Sequence, residues 1–484
     1  YTNSPAKMKI TDHQNTKIVA TVGPACSPYE GLKSLIEAGV DVFRLNFSHG
    51  THEVHGEVIA NIVKLNKELG THVSILADLQ GPKLRVGLME GDGLPVEEGQ
   101  IVTFTNTKCV GNAERVYMSY PQFAQDVTVG ERVLVDDGTL VFEVVETNGT
   151  DTVKLRTLFG GVLKSNKGVN LPNTKISLPS MTEKDREDLE YILTQPVNWI
   201  ALSFVRHHND CKQLKALIEA AGHPAKIISK IEKPEAIENI DKIIKHSNAI
   251  MVARGDLGVE MPMRQLPVLQ KMIIKKCIQR ARPVIVATQM MDSMIRNPSP
   301  TRAEISDVAN AVLDGTDAVM LSGETSVGRH PTLVVQAMNE IIHEAEKTYE
   351  IGMKRPKSNE KSGTFVSDVI CSAAAWIAPK VGARGIVGMT RSGYTAFKLS
   401  SFRPKAKIYI FSDLQYMLNT LNLCWGVRCY HYNNFTSTDQ TVEDVTAILK
   451  EKGHVQAGDM IVNTGSMPLE KQRRTNMTKI TIVE

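Results

Sequence analysis

No stretch of this 484-residue chain stays apolar long enough to cross a bilayer. No N-terminal segment has the basic, apolar, small-residue order of a secretory signal. Paired cysteines are missing as well. The seven cysteines are scattered, odd in number and never spaced Cys-x-x-Cys, so reduced thiols in a cytoplasmic protein are the expectation. The sequons at Asn46, Asn148 and Asn434 then carry no meaning. A strong charge bias is also absent. A net charge of +3 is too small to argue for nucleic acid or an anionic membrane, and no basic stripe is interleaved with aromatics. No strand-like run leads into Gly-x-Gly-x-x-Gly, and no Gly-Lys-Ser/Thr phosphate loop occurs, which weakens the dinucleotide-fold and P-loop readings. There is no 20–50-residue repeat. What is left is ordinary soluble composition, with length for two to four domains.

Eight apolar, strand-like runs alternate with helical stretches: 17–22, 40–47, 74–79, 199–205, 226–231, 249–254, 283–288 and 317–322. Near-continuous apolar runs mean strands covered on both faces, the parallel case. Eight such βα units predict an α/β fold, a TIM (β/α)₈ barrel with its site at the C-terminal ends of the strands. More than a hundred residues separate the third run from the fourth, and they read as hairpins, with Asp137-Gly138 between alternating runs. An inserted β-domain over 84–182, used as a mobile lid, is expected there. The barrel then occupies 1–83 and 183–350. After a polar linker from Lys354, strand-like runs at 385–390, 408–412, 427–432, 460–465 and 479–484 predict a separate α/β domain over 351–484.

The polar residues gather where the apolar runs end. Lys226-Ile-Ile-Ser-Lys-Ile-Glu-Lys-Pro places Lys230 and Glu232 on one face of a strand end. Met251-Val-Ala-Arg-Gly-Asp repeats the plan with Arg254 and Asp256. Two carboxylates from adjacent strands, Glu232 and Asp256, suit Mg²⁺ or Mn²⁺ with water and substrate filling the remaining positions. The plain alternative is a buried ion network with Lys230 and Arg254, which desolvation makes unrewarding for stability alone. Lys230 would stabilise charge on a transferred phosphoryl group or an enolate. Arg44, Asn46 and Ser48 share a face if their strand persists, and the Arg fork suits phosphate. Asp78 would point at the same site, with Lys83 and Arg85 at the hinge to the lid. Thr288 hydrogen-bonds a substrate carboxylate, steers a proton or caps a helix; spacing does not choose. Glu324 either supports a ligand from behind or caps a helix. His49, His52 and His55 have no zinc spacing and read as a helix start. Thr390-Arg-Ser-Gly-Tyr-Thr, between a strand and a helix, offers free N–H groups to an anion. Lys471, Arg473 and Arg474 form a nearby basic loop.

An ordered set of motifs runs through the chain: Arg44-Leu-Asn-Phe-Ser-His-Gly-Thr-His-Glu, Lys167-Gly-Val-Asn-Leu-Pro, Ser229-Lys-Ile-Glu, Met251-Val-Ala-Arg-Gly-Asp-Leu-Gly-Val-Glu, Ala287-Thr-Gln-Met and Leu321-Ser-Gly-Glu-Thr. In this the chain resembles the pyruvate kinase family over nearly its whole length. The resemblance implies a (β/α)₈ barrel, a β-barrel lid, a C-terminal regulatory domain and a homotetramer. It also implies glycolytic transfer of phosphate from phosphoenolpyruvate to ADP. By position it implies Glu232 and Asp256 as divalent-metal ligands and Lys230 and Arg44 as contacts to the transferring phosphoryl group. Gly255 and Thr288 match contacts to the substrate carboxylate, and Asn46, Ser48, His49, Arg85 and Lys167 match nucleotide-side positions.

The chain departs from the family pattern at the monovalent-cation site, whose positions match Asn46, Ser48, Asp78 and Leu79. Most members carry Thr-Lys after that Asp and a Glu beyond; this chain has Leu79, Gln80 and Lys83. That resembles the potassium-independent branch, in which the Lys83 ammonium supplies the charge of K⁺. The loop Thr390, Arg391, Ser392, Gly393, Tyr394, Thr395 resembles the family's effector phosphate loop, although Ser466-Met-Pro-Leu-Glu does not match the fructose bisphosphate type. A sugar monophosphate or AMP is the expected effector. Two other readings compete: enolate carbon chemistry on pyruvate in an aldolase- or lyase-type barrel, and a phosphometabolite sensor without activity.

Overall fold

The computed structural model describes residues 14–348, 359–467 and 474–484. Eight parallel strands close into a barrel: β1 Lys17–Thr21, β2 Val42–Asn46, β3 Ser74–Asp78, β4 Trp199–Leu202, β5 Lys226–Ile231, β6 Ala249–Ala253, β7 Val284–Ala287 and β8 Ala318–Leu321. Each strand pairs with its neighbours in sequence, and β1 pairs with β8 to complete the ring. Period-two alternation explains the apolar runs. Val19, Val42, Leu76, Ala201, Ile228 and Met251 fill the barrel interior. Ile18, Phe43, Ile75, Ile200, Ile227 and Ile250 point outward beneath the helices. Both faces are therefore dry.

Local signals set the helix ends. Thr51 caps the helix His52–Leu69 by accepting from Val54 N, and Gly70 ends it at φ 65°. Thr301 and Glu304 form a reciprocal capping box on Arg302–Asp314. Thr182 and Asp185 do the same on Glu183–Ile192. The other oxygen of Asp185 accepts from Gly81 N at 3.1 Å. One buried carboxylate thereby pins both the departure of the inserted segment and its return.

That segment folds as a six-stranded sheet, ordered Val169–Asn170, Arg132–Val135, Leu140–Thr147, Thr152–Phe159, Ile101–Thr105, Val116–Tyr117. Arg85 bridges Gly168 and Val86 bridges Met118, so residues 85–86 join the two edges and close the sheet on itself. Its core is its own, built on Phe104, Tyr120, Phe142 and Leu155. The hairpin at Asp137-Gly138 is present, with Asp136, Asp137 and Gly138 all at positive φ. A short antiparallel pair, Leu94–Val96 with Gly161–Leu163, flanks it.

The C-terminal unit is a five-stranded sheet ordered Val427–His431, Lys407–Ser412, Gly385–Met389, Met460–Gly465, Met477–Ile482, the last strand antiparallel. It stoppers the base of the barrel. Leu423 enters the barrel's interior cluster, Trp199 Nε1 donates to Thr420 O at 3.1 Å, and buried Arg403 pairs with Asp317 at 2.8 Å. With its base closed, the barrel is open to ligands at the C-terminal mouth.

Candidate active site

Alternation dictates the first ring of polar groups. Two residues beyond the apolar layer, Thr21, Arg44, Asp78, Ser203 and Lys230 turn into the barrel at its mouth. Their side chains join up. Arg44 Nη1 donates to Thr21 Oγ1 at 3.0 Å and Nε to Asp78 Oδ2 at 2.7 Å. Lys230 Nζ lies 3.3 Å from Asp78 Oδ1, 2.9 Å from Ser203 Oγ and 3.3 Å from Glu232 Oε1. Glu232 Oε2 accepts from Phe204 N at 2.6 Å. Phe204 sits at φ 54°, a conformation uncommon for a bulky residue, and this turns its N–H toward the carboxylate.

The charges divide unevenly. Burial pushes the Asp78 carboxyl up, but Lys230 and Arg44 outweigh it and hold the group below the usual range. Burial would also lower Lys230; Asp78 and Glu232 instead raise it, so it remains an ammonium. Glu232 goes the other way. Burial raises its carboxyl, Lys230 opposes this, and the charge of Asp256 raises it further. Lys230 is thus shared between Asp78 and Glu232, and the nearby Asp256 works against ionisation of Glu232.

Asp256 sits in the first turn of the helix Arg254–Glu260, where the helix dipole favours a carboxylate. Contrary to the expectation from sequence, the strand does not continue through Arg254; the helix begins there. In place of joining Asp256 in an ion network, Arg254 forms a two-pronged pair with Asp307 at 2.7 and 2.8 Å. Its Nη2 also donates to Thr288 O at 2.7 Å. Thr288 and Gln289 stand at φ 75° and 56°. A β-branched residue there is strained, and the Arg254 contact helps to fix it. Thr288 Oγ1 accepts from Gly255 N at 2.7 Å, an N–H in the first turn of Arg254–Glu260, and Thr288 does not cap the short helix Asp292–Ile295 that follows it in the chain. Nothing in the protein demands glycine at 255, since a Cβ there would meet Thr288 Oγ1 at an ordinary 3.5 Å. Buried Glu324 accepts from Met291 N and Ser322 N, tying the ends of β7 and β8 together.

Comparison with known proteins adds an independent line. Residues 13–335 match the family model for the pyruvate kinase barrel domain, and residues 368–481 that for the pyruvate kinase alpha/beta domain. A pyruvate kinase of Geobacillus stearothermophilus is 41% identical over 97% of this chain and 80% of its own length. One of Clostridium acetobutylicum is 41% identical over 97% of this chain and all of its own. The chain belongs to the pyruvate kinase family. It is a phosphotransferase, and the fold agrees: a crystal structure of a pyruvate kinase from Cryptosporidium parvum superposes with a TM-score of 0.92 at 34% identity, covering 98% of this chain and 97% of that one.

The remaining expected pyruvate kinase positions are less closely gathered. β2 ends at Asn46, so the shared face of Arg44, Asn46 and Ser48 does not extend to Ser48; the Asn46 side chain instead accepts from Ser48 N at 3.1 Å. His49 is exposed, and its carbonyl contacts the His55 ring at 2.8 Å. Arg85 donates to Asn166 O at 3.0 Å, and Lys167 pairs with Asp136 at 3.0 Å in the lid hairpin. Leu79 is buried, its carbonyl held by Ser203 Oγ at 2.6 Å. Lys83 is exposed on the hinge turn, with neither an ion pair to Asp78 nor a hydrogen bond to Asn46 or Ser48. In the C-terminal unit, Thr390, Arg391, Ser392, Tyr394 and Thr395 line a cavity of about 370 Å³ together with Arg474. Gly393 N donates to Thr390 Oγ1 at 2.8 Å, shaping the loop, and Arg391 is paired with Asp413. Lys471, Arg473 and the segment 468–470 lie outside the described residues.

Thr21, Ser203 and Phe204 were missed in the sequence. The first two were within reach, because each stands two residues beyond an inward apolar position of its strand.

Proposed function

We propose that this enzyme transfers the phosphoryl group of phosphoenolpyruvate to ADP, giving pyruvate and ATP in glycolysis, at the mouth of the barrel. The observation that carries the reading is the linked set Thr21–Arg44–Asp78–Lys230–Glu232 beside Asp256. It combines two fixed cations, Arg44 and Lys230, for an anionic substrate with three carboxylates, Asp78, Glu232 and Asp256, one more than the cations match.

The donor set fits a hard divalent ion. Among the described residues no cluster of three His, Cys, Asp or Glu is placed to hold a metal. Two carboxylates with other positions left to water and substrate suit Mg²⁺ or Mn²⁺ and not structural zinc. When bound at Glu232 and Asp256, such an ion would neutralise charge on the phosphoryl group. This chain's own residues do the rest. Arg44 and Lys230 grip the phosphoryl oxygens. A β-phosphate oxygen of ADP bonds to phosphorus as the bond from phosphorus to the enol oxygen breaks, and the electron pair stays on that oxygen. Lys230 stabilises the resulting enolate. Gly255 and Thr288 orient the substrate carboxylate: the Thr288 hydroxyl, held by the Gly255 N–H, donates to it, and the missing side chain at 255 leaves room for its close approach. A proton delivered through a water or hydroxyl chain near Thr288 then ends on carbon. Asn46, Ser48, His49, Arg85 and Lys167 serve the nucleotide. The segments 1–83 and 183–350 act as catalytic barrel, 84–182 as lid and 351–484 as regulatory unit, in a cytoplasmic homotetramer.

Two finer points belong to this reading. Turnover does not require K⁺, supported by Leu79, Gln80 and Lys83 in place of the cation-site pattern and by Asp78 already having two cationic partners. A phosphorylated effector, a sugar monophosphate or AMP, binds the loop 390–395, supported by the cavity beside it.

A coupled pyruvate assay tests all of this, varying ADP, Mg²⁺, K⁺ and effector. Pyruvate production that depends on ADP and Mg²⁺, and is equal with K⁺ or a large organic cation, is the expected result. Pyruvate released without ADP would move the site to enolate carbon chemistry. Full turnover only with K⁺ would remove the role given to Lys83. Failure of every candidate effector to give heat on titration or shift the substrate curve would remove the effector.

A further inference from the structure

Next to Asp256, three polar side chains from three different segments meet in the crevice between lid and barrel. Lys233 Nζ lies 2.8 and 3.0 Å from the two carboxylate oxygens of Glu260. Asn170 Nδ2 donates to Glu260 Oε1 at 3.0 Å. All three are buried, Lys233, Glu260 and Asn170 at 8%, 7% and 8% exposure. Their places in the chain matter more than their contacts. Lys233 directly follows Glu232. Glu260 ends the helix Arg254–Glu260, whose first turn carries Asp256. Asn170 lies on the lid strand Val169–Asn170, just beyond Lys167.

Neither local structure nor stability accounts for this arrangement. A carboxylate at the C-terminal end of a helix faces the negative end of its dipole. A desolvated ion pair seldom contributes net stability over an apolar filling of the same space. What it does achieve is a cross-brace. The residue after one carboxylate is tied to the far end of the short helix that carries the other, and the lid grips the same brace through one amide.

We propose that Asn170, Glu260 and Lys233 form a latch that sets the spacing of Glu232 and Asp256 according to how the lid is seated. The inference rests on the metal reading above. Lys233 and Glu260 are positioning residues that act through the backbone on the two carboxylates. Asn170 passes the lid's position to them. The latch makes the divalent-ion site complete only when the lid strand is docked, so that metal affinity and lid closure rise together.

Mn²⁺ binding to the full chain, read from the electron paramagnetic signal of the free ion, tests this without relying on turnover. Asn170→Ala, the charge-neutral double variant Lys233→Gln/Glu260→Gln and the triple variant are compared with the parent, with Glu232→Gln as control and a melting curve for each. The expected result is a loss of Mn²⁺ affinity of about tenfold in Asn170→Ala and in the double variant. The triple variant should be no weaker than the double one, because the amide then has nothing left to transmit. If Glu232→Gln binds Mn²⁺ like the parent, the metal reading itself is wrong. If Glu232→Gln loses Mn²⁺ while folded Asn170→Ala and the double variant keep parental affinity, the latch is wrong and the metal reading stands.

Discussion

Asp78 and Asp41 are both buried barrel carboxylates, yet they leave their ordinary pKa in opposite directions. At the mouth, Asp78 is held low because Lys230 and Arg44 outweigh its desolvation. At the base, Asp41 is pushed up to about 6 by burial, only partly offset by Lys17 at 4.0 Å, the Ile18 N–H and Arg428. The consequence for stability follows from linkage. Between about pH 4 and pH 6 the unfolded chain has released this proton while the native state keeps it, so the folded state loses stability as pH rises through that window. Asp41→Asn removes the effect and keeps an acceptor for Ile18 N. Relative to the parent, the variant should gain on the order of 3 kcal/mol between pH 4 and pH 7. Denaturant unfolding across that range checks it, and parallel pH profiles for the two proteins would contradict it. Residues such as Lys230, Glu232 and Asp78 were legible because they interrupt apolar runs at strand ends. Asp41 was not, since sequence does not reveal that a carboxylate at the start of a strand is sealed off by a distant domain.

At the scale of elements, the barrel strands were legible because both of their faces are dry and nearly every position in them is apolar. The stretches just after them were harder. Period-two reasoning fails once the backbone turns into the left-handed region, as at Phe204, Thr288 and Gln289. It fails also where a helix starts one residue early, which sends Arg254 away from Asp256 and toward Asp307. Arg254 therefore acts as a clamp, fixing the β7 turn through the Thr288 carbonyl. Arg254→Lys keeps the charge but loses the fork. Misplacing Thr288 by about an ångström should lower kcat on the order of a hundredfold. Steady-state kinetics with phosphoenolpyruvate and ADP measures this. A parental kcat in a variant with a lowered melting point would reduce Arg254 to a purely structural part.

For the whole molecule, the sequence separated lid, barrel and C-terminal unit by their composition and spacing, but not how they dock. Leu423 and Trp199 read as ordinary apolar residues, and only the fold shows one entering the barrel interior and the other donating across its base. Arg403 reads as a surface cation; it is buried against Asp317, with its guanidinium also on Gly315 O at 2.8 Å. Arg403→Met leaves Asp317 buried without its partner and should cost about 3–5 kcal/mol. Calorimetry should show the C-terminal unit melting ahead of the barrel. A single transition at the parental temperature would mean that the contact does not hold the two units together.

The central claim is that Lys230, beside Glu232 and Asp256, serves direct phosphoryl transfer between two substrates. Phosphorus NMR of the purified enzyme with phosphoenolpyruvate, ADP and Mg²⁺ follows both substrates at once. The account predicts one ATP γ-phosphorus appearing for each phosphoenolpyruvate consumed, and a rate at least about a hundredfold lower in Lys230→Met. Phosphoenolpyruvate consumed with release of inorganic phosphate in place of ATP, or an undiminished rate in Lys230→Met, would contradict it.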